Sequence, residues 1–123
     1  MIGVKLIDTR YRVCASPAYL ASSRNEGRRL QTPADLAAHR CLLLNLPDYR
    51  SRWLFRDFSG AISEVSVDGD VMISSPLVLL TCAVDGMGPT LLADWMVKDE
   101  LASGALVELF PDYAVVREEC GLT

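Results

Sequence analysis

Short strand-like and helix-like segments alternate along the chain, and this order constrains the fold more than any other feature of the sequence. A strand is predicted over residues 12–15; it ends at Ser16-Pro17, where proline restricts the backbone and forces a turn. The unbroken apolar run CLLLN at residues 41–45 is typical of a strand buried on both faces, and residues 90–93 predict another. Alternation of this kind favours an α/β architecture, a mixed sheet flanked by helices, over a bundle or a sandwich.

Two helices are predicted from a capping residue followed by proline. Thr32 can cap a short helix that begins at Pro33 and ends near His39. The segment at residues 75–86 repeats the pattern, with a serine cap, a proline and a closing glycine. Its body is almost wholly apolar, so we predict that this second helix is buried on all sides.

Three shorter segments complete the helix and core predictions. Residues 18–22 can form a single helical turn after the first strand, and residues 94–97 a short helix that carries Trp95 inward. Trp53 lies in a segment whose side chains are expected to point alternately to the two faces of a strand. Trp53, like Trp95, is expected to anchor the core.

The middle and the end of the chain are rich in strand signals. Valine and isoleucine residues surround turns at Gly60 and Asp68-Gly69, which indicates partly antiparallel structure. An edge strand is expected over residues 105–109, and residues 114–123 resemble a strand about to continue.

Length and composition set the class of protein. A chain of 123 residues, half of them hydrophobic and 23% charged, has the size and composition of one globular domain spanning residues 1–123. A net charge of −4 argues against a nucleic-acid surface, which needs clustered lysine and arginine. No apolar run is long enough to span a membrane and no secretory signal is recognisable, so we expect a cytoplasmic protein.

Metal, disulfide and catalytic chemistry have little support in the sequence. Cys14, Cys41, Cys82 and Cys120 are widely spaced, without a C-x-x-C pair, and are expected to be reduced and mostly buried. His39 is the sole histidine, and a role as helix-end cation or cap is preferred for it. We therefore expect no metal site, no cofactor, no catalytic residue and no enzyme activity.

Several motifs occur together in a characteristic order: ASPAYL at residues 15–20, TPADLAAHRCL at 32–42, WLF at 53–55, VDGMGPTLLADWMV at 84–97, and then SGALVELFPDY. With these motifs the chain resembles the effector-binding domain of LysR-type transcriptional regulators. The similarity covers nearly the whole chain, so it is far more specific than any single motif.

The resemblance implies a fold and a function. In that family the sensor is a pair of α/β subdomains of the type II periplasmic-binding-protein kind, joined by two crossing strands, with a small-molecule effector held between them. This chain resembles one Rossmann-like subdomain, with hinge strands near residues 11–15 and 114–123. The DNA-binding helix-turn-helix and most of the first subdomain have no counterpart in it, so no direct nucleic-acid contact is expected.

Strand ends supply the strongest candidates for contact with the effector. In open α/β sheets, ligands lie outside the carboxyl ends of the strands. Leu44 and Asn45 end one predicted strand, while Ser74 and Ser75 end another and open the apolar helix. The free N–H groups at that helix start favour an anion, and a carboxylate is one candidate effector, although Ser75 can equally be only a cap.

Met87 and Gly88 are a third candidate place, in a glycine turn that can equally be only a helix terminator. Asn45 can equally be only a turn former, and Ser16, at the hinge, has the same ambiguity. Arg52 can face solvent or reach a carboxylate, and solvent is the preferred reading.

The sequence leaves two alternatives to a sensor module open, a stand-alone small α/β enzyme and a solute-binding protein, because fold alone does not determine function.

Self-association of the chain is expected as well. Cutting a two-subdomain sensor at its crossing strands leaves strand edges open, and residues 12–15 and 114–120 are the predicted contacts between copies.

Overall fold

A computed structural model describes residues 10–45 and 52–116 of the chain, and all that follows concerns those residues. Eight strands form two sheets. The strands are β1 Tyr11–Ala15, β2 Arg40–Leu44, β3 Arg52–Arg56, β4 Ile62–Ser66, β5 Asp68–Ile73, β6 Thr90–Ala93, β7 Val107–Leu109 and β8 Ala114–Val116. The α-helices are α1 Pro17–Asn25, α2 Pro76–Val84 and α3 Lys98–Ser103, and 3-10 helices cover Pro33–Ala38 and Asp94–Met96.

The larger sheet has the order β5-β2-β6-β1-β7 and is mixed, as predicted. Strand β2 runs parallel to β5 and β6, whereas β1 runs antiparallel to β6 and β7. The predicted open edge at residues 12–15 is therefore wrong. Val13 is paired with Leu91 on one side and with Leu109 on the other, so β1 is an interior strand.

The smaller sheet has the order β4-β3-β8 and is antiparallel. It carries two of the most buried aromatic side chains, Trp53 and Phe55, with 0% and 1% exposure. The ring of Phe55 packs edge-on against Phe110 and Tyr113, at centroid distances of 5.9 and 6.4 Å. The prediction that Trp53 anchors the core is confirmed. Of the hinge strand predicted at residues 114–123, the described part is β8, which pairs with β3.

The turn predicted at Asp68-Gly69 does not close a hairpin, because β4 and β5 belong to different sheets. Instead β5 joins the larger sheet beside β2, with a shift of register between Arg40 and Leu42. A β-carbon built on Gly69 would lie 1.8 Å from the carbonyl oxygen of Cys41. Only glycine lets the two backbones approach this closely.

The prediction that helix α2 is buried on all sides is wrong. Leu79 and Ala83 are fully buried, but Leu77 and Val78 are 70% and 49% exposed. The helix packs on one face of the larger sheet, and its opposite face is apolar without being covered by the described residues.

The predicted inward position of Trp95 is wrong too. Residues 94–97 were predicted as one short helix, but the 3-10 helix ends at Met96 and α3 follows, an element that the sequence did not indicate. Val97 takes the inward position with 0% exposure, while Trp95 is 68% exposed. The helical turn predicted at residues 18–22 is also longer, because α1 has nine residues and starts from a Ser16 cap.

Candidate functional site

The carboxyl ends of β2 and β5 lie side by side because these strands are parallel and Leu44 is in register with Ile73. Asn45 and Ser74 follow these two positions. The amide Nδ2 of Asn45 donates to Oγ of Ser74 at 2.8 Å, and its backbone N–H donates to the carbonyl of Ile73 at 3.0 Å. Two residues that are 29 positions apart thus form one polar corner at the end of the sheet.

A cleft of about 120 Å³ opens next to this corner. Its lining includes two of the predicted residues, Leu44 and Ser74. The remaining walls come from β1, α2, β6 and the 3-10 helix that follows β6, and include Tyr11, Leu92, Trp95 and Met96. The cleft is therefore mostly apolar, with a polar group on its rim, which is the usual composition of small-molecule sites.

Ser75 acts as the N-cap of α2, because its Oγ accepts from the backbone N–H of Val78 at 3.4 Å. Pro76 follows at the first helical position, as predicted. The start of this helix follows Ser74 directly, but it offers fewer free N–H groups than the sequence suggested, because Pro76 has none and the N–H groups of Val78 and Leu79 are bound by Ser75. Contact between Ser75 and an effector stays a prediction.

Ser16, Met87 and Gly88 lie at the opposite end of the larger sheet. A β-carbon on Gly88 would lie 2.6 Å from the carbonyl oxygen of Arg40, which begins β2. Ser16 is 2% exposed, caps α1 by accepting from the N–H of Tyr19 at 3.0 Å, and lies against Gly86. The structure therefore separates these three residues from Leu44, Asn45, Ser74 and Ser75, and one small molecule cannot contact both groups.

Arg52 lies on β3 in the smaller sheet. Its Nη1 is 2.9 Å from Oε2 of Glu64 on β4, and both side chains are more than 40% exposed. The two side chains form a surface ion pair between neighbouring strands, and Arg52 does not line the cleft. Arg50, for which the sequence allows the same two roles as for Arg52, lies outside the described residues.

A charged network behind the cleft was not predicted. Arg12 on β1 donates from Nε to Oδ1 of Asp94 and from Nη1 to Oε1 of Glu108, the latter at 2.7 Å. The hydrogen bond from Arg12 is the main cause that lowers the pKa of Asp94 below its ordinary value. Because its members are up to 96 residues apart, no local sequence pattern marks this network.

His39 is buried, at 2% exposure, at the end of the 3-10 helix. Its Nε2 donates to the carbonyl of Arg29 at 2.9 Å, and its Nδ1 accepts from the hydroxyl of Tyr19 at 2.7 Å. Its backbone N–H caps the preceding 3-10 helix through Leu36, as predicted. Both ring nitrogens are therefore engaged in structural hydrogen bonds.

Three free cysteines lie in the described ranges 10–45 and 52–116. Cys14 and Cys41 are free and buried, and burial raises the pKa of each thiol to about 12. Cys82 is free and partly buried, and Cys120 lies outside the described residues. In the same ranges, no three potential metal ligands cluster, and no helix is long and apolar enough to cross a membrane.

Comparison with known proteins gives a consistent result. A family model described as the LysR substrate binding domain matches residues 1–122. The HTH-type transcriptional regulator CrgA of Neisseria meningitidis serogroup C is 31% identical over 107 residues, which cover 87% of this chain and 34% of that protein. The HTH-type transcriptional regulator DmlR of Escherichia coli is 31% identical, with 85% of this chain and 33% of that protein covered.

Comparison with solved structures finds regulators of the same family as the sequence comparison does. The regulatory domain of CrgA from Neisseria meningitidis matches with a TM-score of 0.68 and 28% identity, covering 96% of this chain and 60% of that one. Full-length AphB, a Vibrio cholerae virulence activator, matches with a TM-score of 0.73 and 26% identity, covering 89% of this chain and 35% of that one. The chain thus spans about a third of the length of the curated relatives it matches.

Proposed function

The chain belongs to the LysR substrate-binding domain family, and from this premise we propose that it holds a small-molecule effector at the carboxyl ends of β2 and β5. Its fold is that of one α/β subdomain of the type II periplasmic-binding-protein kind, shared with the regulatory domains above. One observation carries the proposal: the polar corner of Asn45 and Ser74 lies on the rim of an apolar cleft at the carboxyl edge of a parallel strand pair.

The polar corner suits one end of an acidic effector. The hydroxyl of Ser74 accepts from Asn45 and keeps its own hydrogen, with which it can donate to a ligand. The start of α2, directly after Ser75, adds the backbone N–H of Leu77 and the positive end of the helix dipole; Pro76 has no N–H, and that of Val78 is bound by Ser75. A carboxylate placed there would receive hydrogen bonds from the Ser74 hydroxyl and this N–H without a cationic side chain.

A role in regulation, without catalysis, follows from the same premise. The relatives are named as transcriptional regulators, so a stand-alone enzyme or a solute-binding protein is not favoured. We assign to this chain the sensing step in the bacterial cytoplasm and to other parts of a longer regulator the contact with DNA. The net charge of −4 supports this division, because it opposes binding to phosphates.

Association of two copies is part of the proposal, with one surface added to those that the sequence suggested. With β1 in the interior of the sheet, the exposed side of α2 replaces residues 12–15 as a contact, whereas β8 is an edge strand of the smaller sheet and residues 114–120 stay a predicted contact. Leu77, Val78 and Val84 are 70%, 49% and 38% exposed there. Exposed apolar patches of this kind mark association surfaces.

An NMR titration of the chain with small carboxylates tests the effector site. We expect the amide signals of Asn45, Ser74 and Ser75 to shift together, and a Ser74→Ala variant to bind about tenfold more weakly, as expected when a hydrogen bond to a charged group is lost. Ser63→Ala is the matched control, because Ser63 is an exposed serine on the smaller sheet. Shifts confined to Ser16, Met87 and Gly88 would place the site at the other end and contradict the proposal.

A further inference from the structure

Trp95 is an exposed indole on the rim of the cleft. Its side chain is 68% exposed, whereas the second tryptophan of the chain, Trp53, is fully buried in the smaller sheet. A tryptophan carries a large apolar surface and is highly buried on average, so an exposed one is informative. This indole lies beside Leu44, Leu92 and Met96, which line the same cleft.

The backbone that carries Trp95 is tied to the first strand. The N–H of Asp94 donates to the carbonyl of Arg10 at 2.8 Å, and the Asp94 carboxylate accepts from the guanidinium of Arg12. On the other side, the N–H of Val97 donates to the carbonyl of Asp94 at 3.4 Å, and Val97 is fully buried. The turn that carries Trp95 is therefore held at both ends, and these contacts fix the position of the indole at the cleft.

The lining of the cleft restricts what the indole can contact. Of the described residues that line it, Ser74, Tyr11 and Trp95 itself carry polar side-chain groups, and none carries a formal charge at neutral pH. A second acidic group placed in this cleft would lose its hydration without gaining a cationic partner, which is costly. The body of the effector must therefore be apolar on the side that faces this wall.

We propose that Trp95 determines specificity in the cleft by stacking against a flat aromatic ring of the effector, whose single carboxylate lies at the Ser74 corner. The inference rests on the proposed function and narrows its ligand to aromatic monocarboxylates. Offset stacking of two rings is favourable beyond the apolar area that it buries, whereas a saturated ring of the same size gains only the area. Aliphatic dicarboxylates are expected to bind poorly.

Benzoate and cyclohexanecarboxylate are the probes, because they share one carboxylate and a six-membered ring and differ in the flatness and π-system of that ring. Titrations use the whole chain as wild type, Trp95→Phe and Trp95→Leu, followed by NMR at the Ser74 amide. We expect wild type and Trp95→Phe to prefer benzoate by roughly threefold to tenfold, the range that aromatic pairing supports. Trp95→Leu should reduce this preference to near unity while still binding both acids. Because Trp95 is exposed, both variants should fold, and the emission of buried Trp53 reports that they do.

The outcomes separate the two proposals. If both acids shift Ser74 equally in wild type and in both variants, the effector site stands and the role of Trp95 is overturned. If neither acid shifts Ser74 or the Trp95 indole at millimolar concentration, the proposed effector site fails, and the inference fails with it. Preference for benzoate that survives in Trp95→Leu would assign the discrimination to another residue and would also overturn the inference.

Discussion

The hydroxyl of Tyr19 donates to Nδ1 of His39 across 2.7 Å, inside the protein. The other ring nitrogen, Nε2, donates to the carbonyl of Arg29 at 2.9 Å, so the imidazole bridges α1 and the loop that follows it. With His39 at 2% exposure, neither bond has water as a ready substitute. The only histidine of the chain thus joins three segments of the fold.

Replacing Tyr19 by phenylalanine should destabilise the chain. The change leaves Nδ1 of His39 as a buried acceptor without a donor, and we expect a loss of about 1 to 3 kcal/mol in the free energy of unfolding. Urea denaturation measures it. Tyr113→Phe is the control, because the Tyr113 hydroxyl has no hydrogen-bond partner in the part of the chain described; its effect should stay within about 0.5 kcal/mol. Equal effects of the two changes would contradict the role of the His39 bridge.

Gly69→Ala should damage the pairing of β2 with β5. Its β-carbon would lie 1.8 Å from the carbonyl oxygen of Cys41, so the strands must separate or slip. We expect a loss of more than about 3 kcal/mol in unfolding free energy, measured by thermal and urea denaturation. Gly60→Ala is the control, since Gly60 has a left-handed backbone, with φ +92°, which Gly69 does not have, but open space around it. That change should cost about 1 to 2 kcal/mol, and a similar cost for both would show that the close contact is not limiting.

Features set by neighbouring residues were predictable from the sequence. The Ser75 cap, the strand after His39 and the burial of Trp53 each depend on a few adjacent side chains, and all three are observed. The meeting of Asn45 with Ser74 followed from one general rule, that the carboxyl ends of parallel strands share an edge.

Features set by distant residues were not predictable. The place of β1 between β6 and β7 depends on pairings such as Val13 with Leu109, which no local pattern encodes. The glycine turn at Met87 and Gly88 was predicted as a candidate place beside the two strand ends, but it precedes β6 and so lies at the amino edge of the parallel strands. The apolar sequence of α2 gave no means to distinguish a buried helix from one whose outer face is an association surface.

Leu77→Ser should weaken self-association of the chain. Leu77 is the most exposed apolar residue of α2, and full burial of a leucine contributes about 1.5 to 3 kcal/mol. We therefore expect the dissociation constant of the dimer to rise by at least roughly tenfold in sedimentation experiments. Phe58→Ser is the control, because Phe58 is 96% exposed on the β3–β4 turn, away from α2. A wild-type chain that stays monomeric at high micromolar concentration would refute association through this face.

Asp94→Asn should remove a pH-dependent contribution to stability. The hydrogen bond from Arg12 lowers the pKa of Asp94 in the folded chain, so the unfolded chain takes up a proton at higher pH than the folded one does. The stabilisation is therefore complete above the unfolded pKa, near 4, and is lost as pH falls through the lower folded pKa. Because both side chains are about a third exposed, we expect a loss below about 1 kcal/mol at pH 7.

Urea denaturation of wild type and Asp94→Asn between pH 2 and 7 measures this contribution as a difference, in which the other carboxylates cancel. The difference should be largest at neutral pH and should shrink below about pH 4, and added salt should reduce it at every pH. Asp112→Asn is the control, because Asp112 is exposed and forms no ion pair with the described residues. Since Asp94 also holds the turn that carries Trp95, the emission of Trp95 should change in Asp94→Asn at neutral pH. A constant stability difference from pH 2 to 7 would mean that the Arg12 contact does not depend on the charge of Asp94.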